Sequence, residues 1–342
     1  MMRGWAASLA LALMSGAGPA AADTSYEILD FSQLDGWEED DHGAALAVFL
    51  ETCRDMRDME WRAVCAAAAE QTDARAFFEI LFRPVRVSDA TPMLFTGYYE
   101  PELRGSRRRY GPYQHPLYAL PPEAAETQFA SRAEIEEQDL LEGRDLEIAW
   151  IDDPVDVFFL QIQGSGRVKL PDGNRLRVGY GGKNGHEYRS IGLELVRRGI
   201  YQPHEVSADV IRNWVKRNPE EGAELLRHNP SYVFFREVSE VPAERGPLGA
   251  MNRSITAMRS IAVDPQHTPL GAPVWIEKDG ETPLNRLMIA QDTGSAIKGP
   301  QRADIFFGTG RAAGRAAGRI RDGGQMVVLM PIQRAYALVP GL

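Results

Sequence analysis

Between residues 292 and 308 the chain reads Asp-Thr-Gly-Ser-Ala-Ile-Lys-Gly-Pro-Gln-Arg-Ala-Asp-Ile-Phe-Phe-Gly, which places acids at Asp292 and Asp304. An apolar run, Leu287–Ala290, delivers the first, and Ile305, Phe306 and Phe307 follow the second. A carboxyl beside such residues is partly desolvated, which raises its pKa and lets it hold a proton near neutrality; a second carboxyl close by pushes the same way. That is the setting of a general acid. Local pattern leaves a structural alternative open, since Asp before Thr-Gly also suits the capping of a turn. Asp264, followed by Pro265, reads as a structural, turn-initiating residue.

Two further segments carry polar chemistry. Gln161-Ile162-Gln163-Gly164-Ser165-Gly166 offers two amides that donate and accept together, as sugar hydroxyls require. Its glycines permit close approach of a ligand to the backbone. Tyr180 to His186 is a Gly-rich loop with Lys183 and Asn184 at its tip. A strand end and an ordinary loop are the plain alternatives. Ser165 lacks the spacing of a nucleophile elbow. The stretch from Gly308 to Gly314 is spaced wrongly for a dinucleotide fingerprint. The six histidines are scattered, without helical ligand spacing, so neither a metal nor a cofactor is expected.

Several elements must position these residues. Residues 43–82 have helical character, and Met93–Tyr99 reads as a buried strand. Val155–Ile162, β-branched and aromatic, reads as a strand that would set Gln161 and Gln163 on one face. Pro171-Asp172-Gly173-Asn174 predicts a hairpin turn, Glu187–Arg198 a helix, and Asn218-Pro219 a helix start. Short strands at Tyr232–Phe235, Ile261–Val263, Pro273–Ile276, Leu287–Ala290 and Met326–Leu329 alternate with Gly and Pro turns, the pattern of a β-barrel or sandwich. Arg311, Arg315 and Arg319 recur every four residues, on one helix face.

A formal charge of −10 argues against nucleic acid as a partner. The local cluster of Arg104, Arg107, Arg108 and Arg109 is either a solvated loop or a contact for an acidic polymer. Arg3, the apolar run Trp5–Met14 and Ala20-Ala21-Ala22 form an expected export leader over residues 1–22. That run falls short of the ~20 residues a membrane span needs, and no later stretch is apolar enough, so stable membrane insertion is not expected. In an exported protein the two cysteines, Cys53 and Cys65, are a disulfide candidate that would staple neighbouring helices, with two buried thiols as the alternative.

Taken in order, Phe95–Glu100, Gln161–Gly166, Tyr180–Ser190 and Asn229–Phe235, followed by the three acids Asp264, Asp292 and Asp304, resemble the MltA family of lytic murein transglycosylases with its C-terminal 3D domain. The resemblance runs from about residue 90 to 332. It implies a mainly β fold with α additions: a double-psi β-barrel domain carrying a second β-rich domain inserted into it, with a glycan groove between. On that basis residues 23–100 form a helical part plus the first barrel strand, 101–238 the insert, and 239–342 the 3D domain. The implied activity is water-free cleavage of peptidoglycan glycan strands, with Asp304 as acid then base and Asp292 tuning it. Tyr98, Gln161, Gln163, Gly164, Ser165, Lys183 and Asn184 would hold the glycan. Family founders are lipoproteins; no Cys follows the apolar run here, so a periplasmic enzyme is expected, with outer-membrane association a further option. A hydrolase on the same barrel and a non-catalytic glycan-binding protein are the alternatives.

Overall fold

The computed structural model describes residues 24–339 apart from residue 243; the expected leader lies outside them. The fold is mainly β with α additions. A short strand β1 (Ser25–Ile28) is followed by three helices, α1 (His42–Cys53), α2 (Met59–Ala68) and α3 (Ala74–Leu81). Each has an Asp at its N-cap, Asp41, Asp58 and Asp73, accepting from a first-turn amide. Cys53 and Cys65 are joined as a disulfide between α1 and α2. Phe49, Trp61, Phe77, Phe78 and Phe82 close this corner with tilted and edge-on ring contacts. The bridge closes a sequence separation of 12 residues. Replacing both cysteines by Ser is therefore expected to cost about 2–3 kcal/mol through unfolded-chain entropy, measurable as a lower denaturant midpoint that added thiol reproduces in the wild type.

Strands β2 (Phe82–Ser88) and β3 (Leu94–Glu100) lead into the second part of the molecule. There β4 (Glu102–Ser106), β5 (His115–Tyr118), β6 (Glu147–Ile151), β7 (Gly166–Lys169), β8 (Arg175–Lys183) and β9 (Val233–Glu237) form a six-stranded sheet, ordered β5-β6-β4-β7-β8-β9. Helices α4 (Pro122–Glu126), α5 (Arg132–Glu137), α6 (Pro154–Gln163), α7 (Ile191–Arg197), α8 (Ala208–Arg217) and α9 (Pro219–Arg227) pack around it. The chain then returns through β10 (Ser260–Val263), β11 (Pro273–Lys278), β12 (Leu284–Asp292), β13 (Arg302–Thr309), α10 (Gly310–Ala317), β14 (Arg321–Asp322), β15 (Gly324–Pro331) and α11 (Ile332–Leu338). These strands join β1, β2 and β3 in a nine-stranded sheet, ordered β1-β2-β15-β11-β12-β10-β13-β3-β14.

The expected strand at Val155–Ile162 is instead the helix α6. Asp153 caps it by accepting from Val155 N at 2.9 Å, Pro154 occupies its first turn, and Gly164 ends it in the left-handed region at φ 75°. Its apolar residues face two ways. Val157 and Leu160 pack on the six-stranded sheet, while Val155 and Phe158 pack on the cluster of α7, α8 and α9. A helix buried on two sides shows no polar stripe, so its β-branched and aromatic residues mimic a buried strand. Gln161 and Gln163 consequently lie about 200° apart around the helix rather than on one face.

At the junction, Glu100 ends β3 fully buried. Its Oε2 accepts from Arg167 Nε at 2.8 Å and Thr309 Oγ1 at 2.8 Å, and Oε1 forms an ion pair with Arg177 Nε at 3.1 Å without hydrogen-bond alignment. Arg167 and Arg177 also donate to Arg245 O on the returning chain, at 2.9 and 2.6 Å. One carboxylate thus ties both sheets and the connection between them.

Candidate active site

The nine-stranded sheet aligns its acids by register. Asp292 stands opposite Ala262, Ala262 opposite Asp304, and Asp304 opposite Thr96, across β12, β10, β13 and β3. Residues directly opposite share a face, so these four form one row, whereas Phe95, Ala303 and Ile305 alternate into the apolar core. Ala262, Asp292 and Asp304 of this row floor a cleft of about 300 Å³ whose other walls include Tyr98 and Arg302, and Gln163, Arg132, Tyr188 and Ser231 from the second part of the molecule. A larger cavity of about 680 Å³ lies inside the six-stranded part and shares Arg132 as a wall. It is the poorer candidate. Its charged lining is spent in pairs such as Arg109–Glu142 and Lys216–Asp153, and none of the three 3D-type acids reaches it.

Asp304 Oδ1 accepts from Thr96 Oγ1 at 2.7 Å, and Thr96 Oγ1 accepts from Arg302 Nη2 at 2.9 Å. Oδ2 has no hydrogen-bond partner among the described residues and is not sealed inside the protein. Burial raises the Asp304 pKa; the Thr96 hydrogen bond and the Arg302 charge oppose this without cancelling it. Asp304 is thus a carboxyl with one oxygen held and one open to the cleft, biased toward carrying a proton. Burial beside the apolar residues is the expected cause; the further push expected from Asp292 is not among the causes at Asp304.

Asp292 is differently placed. Oδ2 accepts from Tyr98 OH at 2.9 Å, and Oδ1 accepts from Ala250 N at 3.0 Å and Thr293 N at 2.9 Å. Both oxygens are occupied. Burial nevertheless pushes its carboxyl up from 3.8 to about 6, against those hydrogen bonds. Burial and the adjacent acid also hold the Tyr98 hydroxyl well above its ordinary value, so it remains a donor. A raised carboxyl pKa means the folded state binds more protons than the unfolded chain between those two values. Stability therefore falls as pH rises through that window, by on the order of 2–3 kcal/mol from this group. Asp292→Asn is expected to remove that slope and raise the melting temperature at pH about 7 relative to wild type; an unchanged slope between pH about 4 and about 7 would contradict it.

The other expected residues divide. Asp264 is structural in its contacts: Oδ2 accepts from Gly299 N at 2.9 Å and Oδ1 from Gln266 N at 3.2 Å, and these bonds overcome burial to lower its pKa. Gln163 lines the cleft, and its Oε1 accepts from Tyr99 N at 3.1 Å, tying the end of α6 to β3. Gln161 touches the cleft but turns inward, accepting from Arg132 Nη2. Gly164, Ser165 and Lys183 do not line it. Asn184 as a glycan contact is corrected. It is fully buried, donates from Nδ2 to Ala130 O and Pro230 O, and accepts Tyr232 N at Oδ1, so its amide braces backbone. The Arg104–Arg109 cluster is largely consumed in pairs with Asp152, Glu237 and Glu142.

Sequence reasoning missed Thr96, Arg302 and Arg132. Alternation about Asp304 puts Arg302 on its face, so that residue was findable. Thr96 becomes visible only through the β3–β13 register. Arg132 is nearly fully buried, stacks over Phe158 and Tyr232 at 4.8 and 4.9 Å, and donates to Asn229 O at 3.1 Å and Ser231 O at 2.8 Å.

Comparison with known proteins bears on the family and the fold. Residues 94–236 match the family described as MltA specific insert domain, and residues 259–330 match the 3D domain. The membrane-bound lytic murein transglycosylase A of Escherichia coli is 38% identical over 245 residues, 69% of this chain and 65% of that protein, so the match spans just under two thirds of that relative's length. The crystal structure of a membrane-bound lytic murein transglycosylase from Agrobacterium tumefaciens superposes with a TM-score of 0.81 at 33% identity, covering 92% of this chain and 99% of that one. Escherichia coli MltA with bound chitohexaose gives 0.74 at 29% identity, covering 90% and 94%. Sequence, fold and the aligned acids together show that the chain belongs to the MltA family.

Proposed function

We propose that this protein is a lytic transglycosylase that cleaves the MurNAc–GlcNAc bond of peptidoglycan glycan strands without water, with Asp304 as acid and then base. The observation that carries the reading is the geometry of Asp304: a half-buried carboxyl with a raised pKa, one oxygen fixed by Thr96 and the other open to the cleft. The relative with bound chitohexaose supports a β-linked amino-sugar chain as the ligand class.

In this reading protonated Asp304 gives its proton to the oxygen joining MurNAc C1 to the next sugar. The C1–O bond breaks and an oxocarbenium-like centre develops, with the electron pair leaving on that oxygen. The new Asp304 carboxylate then takes the proton from the C6 hydroxyl of the same MurNAc, and that oxygen bonds to C1. The products are a free hydroxyl on the departing sugar and a 1,6-anhydro ring, and Asp304 ends protonated as it began. An intramolecular nucleophile supplies the proximity that a bound water would otherwise need. This is why one carboxyl suffices where glycoside hydrolysis commonly uses two. Arg302, acting through Thr96, steadies the anionic form between the two transfers. Asp292 and Tyr98 shape the neighbouring wall, and Gln163 is placed for sugar contact.

No helix among the described residues is long and apolar enough to cross a membrane. The disulfide and the leader-like start support export and a periplasmic site of action. Incubating the purified protein with murein sacculi tests the reading: soluble fragments ending in 1,6-anhydro-MurNAc are expected, and sacculi left intact by folded protein would overturn it.

A further inference from the structure

The hydrogen bonds that hold Asp304 run in one direction only. A guanidinium donates and never accepts, and a Thr hydroxyl has one hydrogen and two acceptor positions. Arg302 Nη2 lies 2.9 Å from Thr96 Oγ1, so Thr96 accepts there. Its single hydrogen is left for Asp304 Oδ1, 2.7 Å away on its other side. A carboxyl proton on Oδ1 would put two hydrogens between the same two oxygens. One of them would have to turn away, with no other side-chain acceptor for Thr96 among the described residues. Oδ1 therefore stays an acceptor whether the carboxyl is protonated or not, and the proton belongs on Oδ2.

The far end of this chain of bonds is anchored. Arg302 Nη1 donates to Leu94 O at 3.2 Å and to Ala303 O at 2.7 Å. The β3–β13 register sets Arg302 opposite Leu94 and Asp304 opposite Thr96. The branched Cβ of Thr96 also limits its rotamers. The other charged and titratable groups around Asp304 are engaged elsewhere. Tyr98 on β3 donates to Asp292 at the end of β12. Arg132, in the opposite wall, donates to Gln161, Asn229 and Ser231. Arg321, beyond Thr96 on β14, is exposed.

We infer that Thr96, oriented by Arg302, is a positioning residue that keeps the transferable proton on Asp304 Oδ2, so that this one oxygen serves first the departing glycosidic oxygen and then the C6 hydroxyl of the same sugar. The inference rests on the transglycosylase reading given above. Sugar stereochemistry agrees with it. A β-linked neighbour leaves from the β face of C1, and in a 1,6-anhydro ring O6 is attached to C1 on that same face. The proton moves from Oδ2 to the glycosidic oxygen as the C1–O bond breaks. The C6 hydroxyl proton then returns to Oδ2 as the O6–C1 bond forms. Both oxygens meet Asp304 from one side, and the carboxyl need not rotate between the two transfers. Thr96 keeps its own hydrogen throughout.

The test follows turnover of soluble glycan fragments prepared from murein across pH, using the full chain. Wild type is compared with Thr96→Val, Thr96→Ser, Arg302→Met and the double variant of Thr96→Val with Arg302→Met. Thr96→Val is expected to lower kcat about tenfold or more, with KM changed less than about twofold. It removes a donor to the carboxylate, so the basic limb of the kcat profile, which reports the acid in the bound complex, moves to higher pH. Thr96→Ser restores the donor, regains most of the loss and returns the limb. Because Arg302 acts through Thr96, the double variant should be no slower than the slower single one. A Thr96→Val chain with an unmoved limb and kcat within about twofold of wild type would overturn the positioning role. Losses that multiply in the double variant would overturn it too. Should Thr96→Val fail to fold, Arg302→Met carries the test: its Thr96 hydroxyl is free to accept from Oδ1, and an unmoved kcat and limb there would overturn the inference. A folded wild-type chain that releases no fragment would instead overturn the transglycosylase reading.

Discussion

Asp304→Asn is expected to lower kcat on murein by at least about 10³-fold while leaving the fold and the apparent affinity for glycan nearly unchanged. One positioned proton transfer contributes about 10²–10⁴-fold, and in the proposed mechanism the same group performs both transfers, so no second carboxyl backs it up. The amide is close in shape and still offers an oxygen to Thr96, which keeps the local hydrogen bond. It also removes a carboxyl that the fold holds in an unfavourable environment, so the variant should melt no lower than wild type near neutral pH. Asp264→Asn is the informative contrast. That acid is held below its ordinary pKa by backbone donors at Gly299 and Gln266, so its loss should appear in the melting temperature, most clearly above the ordinary carboxylate range, where the stability it contributes is fully present. Parallel measurement of turnover and thermal unfolding for the two variants checks both statements.

The second large effect is expected at the junction. Glu100→Gln leaves Arg167 and Arg177 without their shared counter-charge in a buried site. Removing one partner of a buried ion pair costs about 3–5 kcal/mol, because the remaining charge stays desolvated. Glu102→Gln, two residues away, breaks only an exposed pair with Arg175 at 3.3 Å, and should cost less than about 1 kcal/mol. Urea unfolding of the two variants separates these outcomes. Because Glu100 also accepts from Thr309, its loss should loosen the setting of one sheet against the other, and with it the walls of the cleft that come from opposite sides, Asp304 and Arg132.

What was legible in the sequence followed from local chemistry. The strands around Asp264, Asp292 and Asp304 show as short apolar runs between Gly and Pro turns, and the hairpin at Pro171–Asn174 and the helix start at Pro219 follow from turn and cap preferences. The failure at α6 is equally physical. A helix covered on two sides loses the polar stripe that identifies it, and Asp153-Pro154 and Gly164, its true end signals, were outweighed by its Val and Phe content. Asn184 shows a second limit. An amide suits a sugar and a backbone equally well, and only burial reveals which it serves. The row of the candidate site depended on pairing between strands far apart in the chain: residue 96 meets 304 through register that no local pattern encodes.

The central claim is that Asp304 works with the substrate's own hydroxyl in place of water. Digesting murein with the wild-type protein in heavy-oxygen water, and weighing the released fragments by mass spectrometry, tests it most directly. The account predicts MurNAc ends in the anhydro form, lighter by one water than hydrolysed ends and free of heavy oxygen at C1. Fragments heavier by one water, carrying the heavy isotope at C1 from the start of the reaction, would contradict it and point to a hydrolase.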